Sequence, residues 1–212
     1  VTSESSAPHI LSRRIADAVC ALPAASDRRL VAIAGPPGAG KSTVTALAQQ
    51  EIQARGTPTG IISMDGFHYD NAVLSARDLL HRKGAPETFD VAGFCALLGR
   101  LFTEDEIAIP EFDRTLDKAI AARSVLSRDQ RVILVEGNYL LLNEPGWSDL
   151  QDLWALRVFL EVPLETLEAR LTARWVEHGF GPEEARARAL TNDIKNARLV
   201  LERSAPSDIA LK

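Results

Sequence analysis

Residues Gly35 to Thr43 read GPPGAGKST, and Gly35, Gly40, Lys41 and Ser42 satisfy the spacing G-x-x-x-x-G-K-[ST]. Glycines at such spacing let backbone N–H groups turn toward phosphate oxygens with no Cβ in the way, and a helix opening near Lys41 adds its positive end. On this reading Gly35, Pro36, Pro37, Gly38, Ala39, Gly40, Lys41, Ser42 and Thr43 wrap the phosphates of ATP. The Lys41 ammonium reaches the outer phosphates and the Ser42 hydroxyl serves Mg²⁺. A dinucleotide fingerprint fits less well, because the glycines are not spaced G-x-G-x-x-G and that motif has no use for a lysine. Two acids follow apolar runs: Asp65 after GIISM (60–64) and Glu136 after VILV (132–135). If both runs are parallel strands, both acids lie at the carboxyl edge, where open sheets bind ligands. One can orient Mg²⁺ and the other can take the proton of an acceptor hydroxyl. Spacing alone leaves open which does which, and each acid taken singly also suits a simple cap.

The elements that must position these groups follow from hydrophobic period. Ile10, Leu11, Ile15, Val19 and Leu22 predict an amphipathic helix over 8–22. The run LVAIA (30–34) predicts a strand buried on both faces, followed after the glycine-rich turn by a helix that Gly56 stops. Further strands are predicted at 60–64, 106–109, 132–135, 158–162 and 208–211, with a short helix near 75–81 and a helix over 91–102 capped by Asp90. Pro163 opens a helix with Leu164, Leu167, Leu171 and Trp175 on one stripe, closed by Gly179. A new helix starts at Gly181-Pro182-Glu183-Glu184 and is predicted to carry Leu190, Ile194, Ala197 and Leu201 inward. The sum is one α/β domain over 1–212 with a core at 29–212. It has a mainly parallel five-stranded sheet flanked by helices, and a helical lid at about 164–195.

Bulk properties exclude other classes. The chain has 212 residues and a net charge of −5, with no cluster of Lys and Arg, so no sequence-independent hold on nucleic acid is expected. No apolar run approaches the roughly 20 residues a membrane span needs, and VTSESSAPHI lacks an apolar signal core, so a cytoplasmic protein with no membrane insertion is expected. Cys20 and Cys95 sit in apolar stretches without CxxC spacing and read as buried free thiols.

Four segments in order then carry a resemblance: SMDGFHYDN (63–71), RKGAPETFD (82–90), PEFDR (110–114) and VEGNYLL (135–141). With the phosphate loop they resemble the uridine kinase, pantothenate kinase and phosphoribulokinase superfamily of P-loop kinases, in particular the branch labelled fructose transport system kinase. The resemblance spans roughly 30–211. It implies a nucleoside-kinase-like P-loop NTPase fold and transfer of the γ-phosphoryl group of ATP to a hydroxyl of a small acceptor, a sugar or sugar-like molecule first. Uridine or pantothenate are alternatives, and a non-catalytic ATP-binding regulator of a transport system is an alternative of another class. It further implies that Asp65 acts as base or orients the acceptor and that Glu136, with Ser42, stands near Mg²⁺. Arg170 and Arg174 would close over the transferring phosphates, and His68, Tyr69, Arg82, Lys83 and Arg114 would belong to the acceptor pocket. The MDGFHYD segment departs from uridine kinases, which carry a bulkier polar residue and tyrosine at its glycine and histidine. The chain also looks too short for the added helices of bacterial pantothenate kinases. Oligomeric state stays open, a homodimer being one option.

Plainer readings stand beside these. Arg170 and Arg174 also suit a charged helix face, with Arg174 paired to Glu177. His68 suits a packed loop, and Tyr139 and Trp147 suit core or rim. Asn192, Asp193 and Asn196 suit either the adenine side of a nucleotide or a solvated face.

Overall fold

Five apolar strands stand side by side in a computed structural model that describes residues 7–23, 25 and 27–212. The polar lead read at residues 1–6 lies outside the described residues. The strands are β1 (Arg29–Ala34), β2 (Thr59–Ser63), β5 (Val132–Gly137), β6 (Trp154–Leu160) and β7 (Ile209–Leu211), in the order β2-β5-β1-β6-β7. Every pairing is parallel, so the sheet is parallel throughout.

Side chains alternate across the strands and each face has its own core. Leu30, Ala32, Ala34, Ile133 and Val135 point to a layer with α4 (Val91–Arg100), whose Phe94, Leu97 and Leu98 fill it. Val31, Ile33, Val132 and Leu134 point the other way, onto Ile15 and Val19 of α1 (Ala7–Cys20) and Val44, Ala48 and Ile52 of α2 (Lys41–Ala54). Each of the larger of these side chains, Val, Ile, Leu or Phe, contributes about 1.5–3 kcal/mol by leaving water. A third cluster joins Leu167 and Leu171 of α5 (Leu164–Glu177) to Ala189, Ile194 and Ala197, and thereby holds the helical lid together.

The structure departs from expectation in five places. The predicted strand at 106–109 is one arm of an antiparallel hairpin, β3 (Glu106–Asp113) with β4 (Lys118–Ser127), outside the main sheet. Most of β4 is exposed, so it lacks the apolar period that announces a strand. The short helix is α3 (Asn71–Ala76), earlier than predicted because Asp70 caps it by accepting from the Ala72 N–H at 2.8 Å. Beyond α6 (Pro182–Arg188), residues Ala189–Asp193 form a π-turn before α7 (Ile194–Arg203). The wider turn shifts the helix phase, so Ile194, Ala197 and Val200 face inward while Leu190 and Leu201 face water. Ile10 is also exposed rather than part of the apolar stripe of α1. Both thiols are free, but Cys20 is exposed on α1 and Cys95 half-buried.

Candidate active site

The phosphate loop joins β1 to α2, and two of its glycines are demanded by geometry, Gly35 by close approach to backbone and Gly38 by its left-handed backbone. A Cβ on Gly35 (φ 154°) would lie 2.9 Å from the Leu160 carbonyl oxygen. One on Gly38 (φ 82°) would press within 3.2 Å of Leu171 in α5. The loop is thus a bare-backbone cradle between sheet and lid, ending at the N-terminus of a 14-residue helix. Lys41 is buried, and its ammonium donates to the carbonyls of Gly35 (2.9 Å) and Pro36 (3.0 Å) and to Asn138 Oδ1 (2.6 Å). Burial lowers its pKa to about 8 against the opposing pull of the Glu136 and Asp65 carboxylates.

Parallel register aligns Ile33, Glu136 and Ser63 on neighbouring strands, which brings the acid at the end of β5 beside the cradle. Glu136 is 7 % exposed. It accepts from Ser63 Oγ at 2.5 Å and from Ser42 Oγ at 3.2 Å. Burial raises its pKa, and the Asp65 carboxylate adds to the rise. Two oxygens, from Ser42 and Glu136, therefore face the mouth of a phosphate cradle. That is the sparse protein donor set suited to a Mg²⁺ ion that is also held by phosphates and water. Among the described residues no group of three or more His, Cys, Asp or Glu forms a metal cage of its own.

Asp65 sits in a 3₁₀ turn, Met64–Phe67, directly after β2. Its carboxylate is 3.3 Å from the Arg114 guanidinium, which reaches it from the hairpin. The hairpin comes this close because residue 66 has no side chain: a Cβ there would lie 2.4 Å from the Pro110 carbonyl oxygen. His68 closes the turn, its Nδ1 2.8 Å from the Asp65 carbonyl oxygen. Its ring lies between Phe89 and Phe112, at centroid distances of 4.0 and 4.8 Å. Burial there lowers its pKa. The Lys83 ammonium donates to Asn71 Oδ1 (2.7 Å) and to the Asp117 carbonyl (2.9 Å). It also pairs with Asp117 Oδ1 (2.8 Å) and sits 5.1 Å over Phe112.

These groups share one cleft of about 540 Å³, lined by Pro37, Gly38, Gly40, Lys41, Ser42 and Thr43 at one end and by Asp65, His68, Lys83 and Arg114 at the other, with Glu136 between them. Arg174 reaches the cleft from the lid, held by Asp193 Oδ2 at 3.1 Å rather than by Glu177. Arg170 does not line it; its Nη1 donates to the Gly38 carbonyl at 3.1 Å and so ties the lid to the phosphate loop. Tyr69 and Arg82 also stand off the cleft. The Tyr69 ring lies under Arg77 at 4.6 Å, and Arg82 pairs with Glu87. Tyr139 and Trp147 are core, the Tyr139 hydroxyl donating to the Gly84 carbonyl at 2.5 Å. Asp193 and Asn196 face the cleft, and Asn192 donates to the Lys83 carbonyl at 2.8 Å. Ser63, Asn138, Phe89, Phe112 and Asp117 have no role in the sequence reading. The first four lie inside the quoted segments, whereas Asp117 is reached only through the hairpin.

No family model matches the chain. A solved structure, "Crystal structure of putative fructose transport system kinase from Silicibacter sp. TM1040", superposes with a TM-score of 0.91 at 42% identity, covering 95% of this chain and 98% of that one. "Uncharacterized protein YggC" of Escherichia coli (strain K12) is 34% identical over 189 residues, 87% of this chain and 78% of that protein. "Putative uridine kinase C227.14" of Schizosaccharomyces pombe is 34% identical over 195 residues, 87% of this chain and 83% of that protein. With the cradle, the parallel sheet and the lid in place, these likenesses show that the chain belongs to the P-loop kinase superfamily of uridine-kinase-, pantothenate-kinase- and fructose-kinase-like proteins, ATP-dependent kinases of small molecules.

Proposed function

We propose that this protein transfers the γ-phosphoryl group of ATP to a hydroxyl of a sugar or sugar-like acceptor, with Asp65 as the base. The observation that carries the reading is the shared cleft, in which a carboxylate on one turn faces a phosphate cradle across Glu136. A protein that only sensed nucleotide would have no use for an acid aimed at an acceptor.

The chemistry asks for positioning and charge more than covalent work. Lys41 and the backbone N–H groups of Gly38 to Ser42 fix the donor phosphates. Ser42 and Glu136 would hold Mg²⁺, which when bound screens phosphate charge. Asp65 accepts the acceptor's proton as its oxygen attacks, and Arg114 beside it orients the carboxylate. Arg174 brings positive charge from the lid, and Arg170 holds the lid against the loop. The half-buried Phe112 offers an apolar wall suited to the C–H face of a sugar, with His68 packed beside it on the buried Phe89. The name of the Silicibacter relative, fructose transport system kinase, agrees with a sugar acceptor, and that of the Schizosaccharomyces pombe relative, uridine kinase, with the nucleoside alternative.

The test is ADP release against a panel of free sugars, nucleosides and pantothenate, run beside Lys41→Ala and Asp65→Asn proteins. Turnover of a sugar that both substitutions abolish supports the reading. ATP binding without turnover of any acceptor would refute it and favour a nucleotide-binding regulator.

A further inference from the structure

We infer that Asp117 sets the charge preference of the acceptor end, so that it admits an uncharged hydroxylated molecule and turns away anionic ones. The inference rests on the kinase reading above. The charged groups around that end are Asp65 on the 3₁₀ turn, Lys83 on the following loop, and Arg114 and Asp117 on the hairpin. Each cation has its own carboxylate: Arg114 meets Asp65, and Lys83 meets Asp117. His68, with its pKa lowered by burial, adds no charge at neutral pH.

Lys83 is the decisive residue, because it looks like a substrate anchor but its charge is already met: the three acceptors of Lys41 are all neutral, whereas one of those of Lys83 is a carboxylate. An ammonium has three N–H donors. Asn71 Oδ1 at 2.7 Å, the Asp117 carbonyl at 2.9 Å and Asp117 Oδ1 at 2.8 Å take all three. Asn71 also donates to Asp117 Oδ2 at 2.8 Å, so the carboxylate is anchored as well. Burial alone would raise the Asp117 pKa, yet the hydrogen bonds from Asn71 and Lys83 hold it below the ordinary carboxylate range, and it stays an anion. Asp117 reaches this position through a left-handed backbone (φ 52°), uncommon outside glycine and tolerated mainly by Asn and Asp. A carboxylate or phosphate ester entering here meets two anions, each cation already paired with one of them, whereas a neutral polyol meets hydrogen-bonding groups and the Phe112 ring. Repulsion of the wrong ligand is a recognised source of specificity.

Asp117→Asn separates charge from shape, since asparagine also accepts the left-handed backbone. The experiment compares kcat/KM, by ADP release, for D-fructose and uridine against D-glycerate and ribulose 5-phosphate. The wild type is expected to favour the neutral pair, and Asp117→Asn to move the ratio toward the anionic pair by about tenfold or more, as an uncompensated Lys83 charge a few ångströms away would do. Adding Lys83→Met should cancel that gain. A wild type that prefers the anionic pair, or a folded Asp117→Asn protein with an unchanged ratio, overturns the inference and leaves kinase activity standing. Calorimetric titration of D-glycerate into protein saturated with ADP reads the same property without turnover. Binding seen only in Asp117→Asn supports the inference, and equal or absent binding in both proteins overturns it. If no acceptor yields ADP, the kinase reading falls while this titration still decides the role of Asp117.

Discussion

Gly66→Ala is the sharpest perturbation the geometry offers, because a single methyl group would strike backbone. Its Cβ would lie 2.4 Å from the Pro110 carbonyl oxygen and 2.9 Å from the carbonyl carbon. That is roughly 1 Å inside ordinary non-bonded contact. Neither partner can rotate away, since Gly66 lies in the 3₁₀ turn that holds Asp65 and Pro110 lies in β3. The turn and the hairpin must separate, at a cost of about 1–3 kcal/mol as in other overpacked sites. For a chain of this length that is a fall in Tm of roughly 2–12 °C. The same movement pulls Arg114 and Phe112 from Asp65 and His68. A misplacement near 1 Å can lower kcat by about 10². ATP affinity should stay within a few-fold, because the cradle rests on β1 and α2. Gly99→Ala is the control: a Cβ there meets nothing within 4 Å, on an exposed turn of α4. It should gain about 0.5–1 kcal/mol from helix propensity with kinetics unchanged. Calorimetric melting, ATP titration and steady-state ADP release on both proteins check this. A folded Gly66→Ala protein with wild-type kcat and Tm would refute the close approach as the device that builds the acceptor end.

Lys41→Ala should melt near the wild-type temperature, since lost hydrogen bonds and the relief of a buried charge offset one another, yet show no productive turnover; normal ADP release would defeat the kinase reading. Asp65→Asn should keep MgATP affinity within a few-fold while kcat falls ~10²–10⁴-fold, and Glu136→Gln should weaken MgATP binding instead; a reversed outcome by calorimetry and single-turnover kinetics would exchange the two acids. Arg170→Ala with Arg174→Ala should depress kcat more than it raises KM with little change in Tm; wild-type kcat would remove the lid from the mechanism. His68 has a folded-state pKa below its unfolded value, so the folded state binds fewer protons and stability falls as pH drops below the ordinary histidine value near 6.5. Denaturant midpoints from pH 7.5 to 5 should therefore decline more steeply for the wild type than for His68→Gln, and parallel curves would count against a buried neutral ring.

The nucleotide end was legible because its signal is contiguous. A strand, a nine-residue loop segment with four positions of strict type and a helix follow one another, and no distant contact is needed to assemble them. Asp65 and Glu136 were legible for a related reason: apolar runs end at both, and a parallel sheet brings such ends to one edge. The lid was legible in outline but not in phase, since nothing in the residues 189–193 announces the π-turn that turns Leu190 and Leu201 outward.

The acceptor end resisted for physical reasons. Membership of a motif does not fix the direction of a side chain: His68 and Lys83 turn into the cleft while their neighbours Tyr69 and Arg82 turn out, onto Arg77 and Glu87. Arg114 and Asp117 arrive on a hairpin whose second strand is largely exposed and so carries no hydrophobic period to mark it. What brings the hairpin in is a missing Cβ at residue 66, and a glycine in sequence does not name the carbonyl it makes room for. Charge identity was misleading in the same way. Lys83 reads as a ligand anchor until its three acceptors are known, two of them supplied by Asp117 from 34 residues away. The phosphate-loop signal is written along the chain, whereas the end of the cleft around Asp65 is assembled from contacts between loops, so substitutions at 66, 83 and 117 should change acceptor turnover while leaving the nucleotide cradle intact.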